Sequence, residues 1–379
     1  MSARTSSGPG IATRVFGSQW FVSVLAVLIA FAIGAILIAL SGASVVDAYY
    51  AMFRGSIVDP NAANAVRMIK PLTDSLFYSI PLIISGLGLA LGFRAGLFNI
   101  GGKGQIIVGA LAAVWVGFSL NLPPVVHTLV ALLVAIVAGG LYGGIAGVLK
   151  AKTGANEVIV TIMLNSIATL GLGYILTQKA WQVPGTNQPV TPKVAESAAL
   201  ARLLPAPFKL HVGFLVALLA LVAFWWLIER STLGFQIRAV GANAAAARTA
   251  GISVERITAI TMVLSGAFLG LAGANEALGT IGYVSRDVAG SIGFDAITVA
   301  LLGRNKTWGT FGAGLLFGAF KAGGYAMQAK GVPIDMILIL QSVIVLLIAA
   351  PALVRWLFRL PDVRALAAQT RKGNADEHK

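Results

Sequence analysis

Residues Arg238-Ala-Val-Gly-Ala-Asn243-Ala-Ala-Ala-Ala-Arg248-Thr-Ala-Gly251-Ile252 form the heart of a polar island, Glu229 to Arg256, set between long apolar runs. Asn243 suits a helix N-cap, because its side-chain oxygen can accept from an orphan amide of the first turn. The alanines that follow have the highest helix propensity, and Gly251 can take the left-handed position that closes a helix. The spacing predicts a helix of about two turns. So short a helix is marginal in water, since nucleation costs more than two turns of hydrogen bonds return, and packing must hold it. Both flanking segments read as membrane spans, which leaves a surface outside this chain to supply that packing.

The rest of the 379 residues explain why the island stands out. Hydrophobic residues make up 57% and charged residues only 11%, against about 25% charged in an ordinary soluble domain. This is the composition of an integral membrane protein. The 44 glycines fit that class, because small residues let spanning helices approach where no hydrophobic force drives them together. The net charge of +14 is scattered between apolar runs instead of gathered on one face, which points to membrane lipids with anionic headgroups and away from nucleic acid. With no cysteine there is no disulfide, thiolate nucleophile or Cys-based metal site. His127, His211 and His378 stand apart from one another and read as structural.

Apolar runs fall near residues 20–40, 73–92, 105–120, 126–149, 157–178, 211–228, 257–281, 290–303, 308–328 and 333–351. Most approach the roughly 20 residues needed to cross a bilayer. The expectation is an all-α integral membrane protein, a polytopic helical bundle of about ten spans with a short cytoplasmic coupling helix. Residues 1–18 form an N-terminal segment, 19–352 the membrane domain with the loop 229–256 inside it, and 353–379 a basic tail. The first run is too long for the roughly 7–15-residue core of a signal peptide, so it reads as a span. The run 290–303 is too short to span as a straight helix and holds Asp295. It must still cross, or the basic residues after it would change sides. Counted over alternate loops, Lys and Arg are roughly twice as frequent on the side of the termini and of the 229–256 loop, which predicts that both are cytoplasmic. The loops 41–72 and 179–210 then lie outside. Their prolines argue against long helices, with short amphipathic pieces such as 194–204 resting on the membrane surface.

Polar groups within the runs carry the functional information, because they are costly at membrane depth and usually face an aqueous path. In Phe98-Asn99-Ile-Gly101-Gly-Lys103-Gly-Gln105, the glycines permit a tight break between helices, leaving Asn99 and Gln105 to bond backbone or line a path. It is not a phosphate loop, since the glycine spacing and the Ser or Thr after the lysine are missing. Asn156 and Glu157 suit the cap and positive end of a helix, and Thr161 and Asn165, four apart, share its face as a polar stripe. Asn275, Glu276 and Asp295 complete the candidate substrate path. Glycines four apart, at Gly139, Gly143 and Gly147, at Gly266 and Gly270, and at Gly314 and Gly318, mark packing faces.

Several of these strings, in this order and spacing, resemble ABC-importer permeases of the simple-sugar and nucleoside branch. They are the Asn99-Ile-Gly element, the Asn156-Glu157 stretch, Gly293-Phe-Asp295 through Gly303-Arg-Asn305, and the island itself. Lys103 and Lys306 depart from that pattern, which commonly has an acidic residue at the first position and a proline at the second. The long first outer loop and the asparagine-containing strings look more like nucleoside permeases. The resemblance implies that Arg238, Gly241, Asn243, Ala247, Arg248, Gly251 and Ile252 couple to a cytoplasmic ATP-binding cassette ATPase. It further implies a second permease chain, often non-identical, an extracytoplasmic solute-binding protein, and residence in a bacterial cytoplasmic membrane. ATP would be used by the partner ATPase, and this chain would bind no cofactor. No Walker motif or nucleophile–base set suggests an enzyme. The competing expectation is an ion-coupled secondary transporter using Glu157, Glu276 and Asp295.

Overall fold

A computed structural model describes residues 19–333 and the short stretches 338–339, 342–343 and 346–347. The N-terminal segment 1–18, most of the run 333–351, the tail 353–379 and His378 lie outside the described residues. By internal contacts the chain divides into two units, residues 1–51 with 324–379, and residues 52–323. In the first, α1 (Gln19–Leu40) turns through Gly42 into α2 (Val45–Ser56). The Tyr49 hydroxyl donates to the Phe31 carbonyl at 2.5 Å, and the two rings meet edge to face.

The second unit is built around α10 (Val254–Asn275), which packs most extensively against α5 (Val126–Thr153) and then against α4 (Gly102–Ser119) and α3 (Ala65–Arg94). Glycine decides how close they come. A Cβ on Gly139 would lie 2.5 Å from the Gly266 carbonyl oxygen, and one on Gly266 2.3 Å from that of Gly139. The backbones of α5 and α10 therefore touch, as the four-residue spacing predicts, and any side chain there would force them apart. Gly314 and Gly318 likewise meet Ile83, Ser75 and Ser79 of α3.

The remaining elements are α6 (Glu157–Ile175), α7 (Gly213–Arg230), α8 (Thr232–Ala242), α9 (Ala244–Thr249), α11 (Ile292–Leu302) and α12 (Thr307–Gln328). Beyond Asn275, α10 continues as a wider π-helical turn, Glu276–Ile281. Helices α3 to α7, and α10 with its π turn, are long and apolar enough to cross a membrane, six among the described residues. Within those residues the only β pairing is one bridge, Arg202 to His211. The chain is an integral helical membrane protein.

Three expectations need correction. The 41–72 loop is not mostly irregular. It holds α2, and Asn64 caps α3 eight residues before the expected start of that span, with Pro71 inside the helix. The Pro71 position falls near the exposed end of α3, where water can serve the carbonyl that loses its bond. Residues 194–204 form no surface helix. The N–H of Val194 bonds the Gly282 carbonyl, that of Ala195 the Gly117 carbonyl and that of Leu200 the Leu278 carbonyl, so the segment lies across the ends of α4 and the π turn. The coupling loop holds a second helix, α8, before the predicted one.

The short run near 290–303 is an eleven-residue helix, about 16 Å long. Its flanks carry it further. Val284 exchanges hydrogen bonds with Thr191 at the end where α10 finishes, and Asn305 accepts from Arg94 at the end where α3 and α7 finish. Residues 282–305 therefore pass from one end of the bundle to the other, the first part as irregular chain anchored by buried Val284, Val288 and Ala289 with Arg286, Asp287 and Gly290 exposed.

Candidate functional site

The coupling segment folds as its local chemistry dictates. The Asn243 side chain accepts from the N–H of Ala246 at 3.0 Å. At the other end Gly251 sits at φ +82°, its N–H bonding the Arg248 carbonyl while the N–H of Ile252 bonds that of Ala247, both at 3.0 Å. This is the paired closure that satisfies the last carbonyls of a helix. Of α9 only Ala247 is buried, and Arg248 points out to pair with Glu255 at 2.5 Å. Gly241 has a different task. A Cβ there would lie 2.0 Å from the Arg94 carbonyl oxygen, so its bareness lets the end of α8 sit on the end of α3. Arg238 is half-buried on α8. Between α8 and α9 lies an open groove of about 560 Å³, walled by Phe235, Ala239, Ala246, Ala250 and Ile252. Of the residues expected to couple, Asn243, Ala247, Gly251 and Ile252 cap and seat this helix, and among the described residues nothing covers its outer face.

The nine expected path residues do not converge on one site. Asn99 and Gln105 are buried and bonded to each other, Asn99 also donating to Ser265 Oγ at 2.9 Å and accepting from the N–H of Gly101. Thr161 accepts from the N–H of Ile100 at 3.3 Å. Asn156 caps α6, and Glu157 pairs with Lys150 at 2.6 Å while facing the N–H of Phe98. Asn99, Gln105, Thr161 and Glu157 brace the break between α3 and α4, while Asn156 serves only its own helix.

Asn165 does both jobs. Its oxygen accepts from the N–H of Gly104 at 2.7 Å, its amide donates to the Ile100 carbonyl at 2.8 Å, and it also lines a cavity of about 690 Å³. Lys103, Ser166 and Thr169 supply the other polar groups of that cavity, with Ile162, Leu170 and Phe294 as its apolar walls. Phe294 is 56% exposed. Thr169 is four residues past Asn165, so the helical period could have found it; Ser166, one residue on, and Phe294, from α11, lie beyond that argument.

Glu276 and Asp295 belong to a third place, which the sequence did not reveal. Lys321 of α12 pairs with Asp295, its Nζ 3.4 Å from Oδ2, and acts on Glu276 only electrostatically from further away, while Ser291 donates to the Asp295 carboxylate at 2.7 Å. Lys321 is the one charged residue of the run 308–328, a signal that was available. Asn275 is buried next to the π turn, with no hydrogen-bond partner for either amide atom among the described residues. His211 is buried nearby, and desolvation pushes its pKa down to about 4, which keeps it neutral and structural. His127 is held between Ser197 Oγ and the Val116 carbonyl.

Comparison with known proteins gives these elements a context. A family profile described as branched-chain amino acid transport system / permease component matches residues 72–349. The chain is 40% identical over 349 residues to the guanosine ABC transporter permease protein NupP of Bacillus subtilis (strain 168), covering 89% of this chain and 95% of that protein. It is 35% identical to the glucose ABC transporter permease protein TsgB13 of Haloferax volcanii, covering 85% of each. It is 31% identical to the nucleoside ABC transporter permease protein NupB of Lactococcus lactis subsp. cremoris (strain MG1363), covering 92% of this chain and 94% of that one. No solved structure matches. These relatives are transport components rather than enzymes, and nothing among them favours an ion-coupled carrier. The capped loop helix, the glycine-packed bundle and a profile match over most of the chain agree: the protein belongs to this permease family, as a membrane-spanning subunit of an ABC importer.

Proposed function

We propose that the imported solute is a nucleoside, that it passes by the cavity at Asn165, and that α9 is the handle by which a separate ATPase drives the passage. The observation that carries the coupling role is α9 itself. Six residues capped at both ends, with one side chain buried, are too few to hold a helix rigid unless something else packs on it. An ABC ATPase gripping its exposed face supplies that packing. ATP binding then shifts the bundle between two states only in so far as α9 docks differently in each. ATP is consumed by that partner, and this chain binds no cofactor.

The cavity suits a hydroxylated solute bearing a flat ring, with Lys103 the one charged side chain on its wall. Amide and hydroxyl groups from Asn165, Ser166 and Thr169 offer hydrogen bonds, and exposed Phe294 offers stacking for a base. The nucleoside assignment draws on the relatives named for guanosine and nucleosides, against one named for glucose. Helix α6, on which most of the polar lining sits, is the least enclosed of the six long helices and presents Ile159, Met163, Ile167 and Leu170 outward. A second permease chain, non-identical to this one, closes the path there. A binding protein delivers the solute at the end where 179–212 lies. With α1, α11, α12 and the run 333–351 counted beside the six long helices, the chain crosses about ten times, with both termini and α9 on the cytoplasmic side of a bacterial inner membrane.

Reconstitution of the chain in liposomes with its ATPase, companion permease and binding protein tests this. ATP-dependent uptake of labelled guanosine is expected, with glucose excluded. Uptake of glucose alone would overturn the nucleoside assignment. Uptake driven by an ion gradient through this chain alone would overturn the handle.

A further inference from the structure

We propose that a pocket at the coupling-loop end, between α3, α7 and the start of α12, binds the phosphodiester headgroup of an anionic membrane lipid. The cavity is about 670 Å³ and sits apart from the groove between α8 and α9 and from the cavity at Asn165. Arg94, Arg230 and Lys306 bring three cations to it against the single carboxylate of Glu229. That carboxylate leaves the site cationic. Its oxygen stands 3.7 Å from Arg94 Nη2, beyond hydrogen-bond length, while Arg94 Nε donates at 2.7 Å to the Asn305 carbonyl. The Arg230 guanidinium lies 5.4 Å above the Trp225 ring, which holds it flat at the rim.

A second observation points independently to a ligand. Thr307 lines the same pocket, is only 4% exposed, and its hydroxyl has no hydrogen-bond partner among the described residues. A buried hydroxyl without a partner is costly, and with the Thr307 side chain turned toward the pocket a phosphate oxygen would accept from it. The bend that brings Lys306 and Thr307 to the pocket runs through Arg304 and Asn305 at φ +54° and +55°, a conformation uncommon outside glycine.

The flanking helices select a lipid over a soluble anion. Val222 and Trp226 are exposed on α7 at the four-residue spacing that leads to Arg230, an apolar strip ending in a cation. Trp308, 66% exposed, meets Phe311 edge to face on α12. Aromatic rings at the ends of spans sit at headgroup level, and basic pockets between spans take anionic headgroups. The inference needs only that the chain spans a membrane and is independent of what it transports.

The test is native mass spectrometry of the full-length chain, stripped of lipid in detergent and given phosphatidylglycerol or phosphatidylcholine of the same chain length. Phosphatidylglycerol is expected to be retained preferentially. Removing two cations in Arg230→Gln/Lys306→Gln is expected to lower its retention by about thirtyfold, and Thr307→Val by a smaller factor. The charge-matched control Lys193→Gln/Lys209→Gln, at the opposite end, should retain it like the wild type. Equal retention of the two lipids by the wild type would overturn the proposal whether or not the variants fold. Equal loss in the control would do the same, and so would displacement of the lipid by millimolar inorganic phosphate, which would mark a free-anion site.

Discussion

At Gly251 the absence of a side chain is what lets α9 stop. Its φ of +82° costs an ordinary L-residue about 1–2 kcal/mol, and more for a β-branched one. Gly251→Val should therefore distort the handle and lower ATP-driven uptake by about tenfold while the ATPase still turns over, whereas Gly251→Asn should keep most of the transport. Parallel assays of uptake and hydrolysis in liposomes check both; full uptake by the valine variant would remove Gly251 from the coupling device. Asn243 and Gly251 were legible in the sequence because caps are local chemistry. The packing reason for Gly241 was not, since its neighbour is the Arg94 carbonyl on a distant helix. Asn165 was legible as a polar residue facing something, but not as a brace. Asn165→Leu strips partners from the Gly104 N–H and the Ile100 carbonyl, at about 1–3 kcal/mol for each group left unsatisfied. It should lower both the thermal midpoint and uptake. Ser166→Ala, which touches the cavity and not the brace, should lower uptake alone, and a matching fall in its thermal midpoint would count against a role in the path.

Among the elements, those the sequence described best are those whose stability comes from their own length and apolarity. Apart from the early start of α3, the long helices begin and end close to the apolar runs because a span satisfies its own backbone. The elements that escaped, α2 and α8, are short and mixed in composition. Residues 282–302 are a harder case: the shortness of their run hints at a tilted or irregular passage, but nothing in it predicts the charge cluster that holds it. Asp295, Lys321 and Ser291 join α11 and the chain before it to α12, and Glu276 faces the same lysine from the π turn. Lys321→Met would leave two carboxylates in the bundle without their cation, and should lower the thermal midpoint more than Asp295→Asn does. The double variant should recover part of the loss, with a coupling of about 0.5–3 kcal/mol in a thermal-unfolding cycle. Strict additivity would show that Lys321 and Asp295 do not act as a pair.

For the whole molecule, the decisive quantity is which end faces the cytoplasm. Val254–Ile281 runs about 40 Å, enough to cross hydrocarbon and reach both headgroup layers. At its start lies the α9 loop with exposed Thr249; at its finish Gly282 and Val284 bond the segment 191–194, just beyond exposed Asn187. The two residues therefore report on opposite faces. The proposed orientation, which rests on the excess of Lys and Arg on the loops shared with α9, puts that face in the cytoplasm. Because the chain has no cysteine, Thr249→Cys and Asn187→Cys each create a single thiol on an otherwise silent background. In spheroplasts treated with a membrane-impermeant maleimide, Asn187→Cys should label at once and Thr249→Cys only after permeabilisation. The reverse pattern would turn the handle away from any cytoplasmic motor, and labelling of both in sealed spheroplasts would mean that this helix does not separate the two compartments.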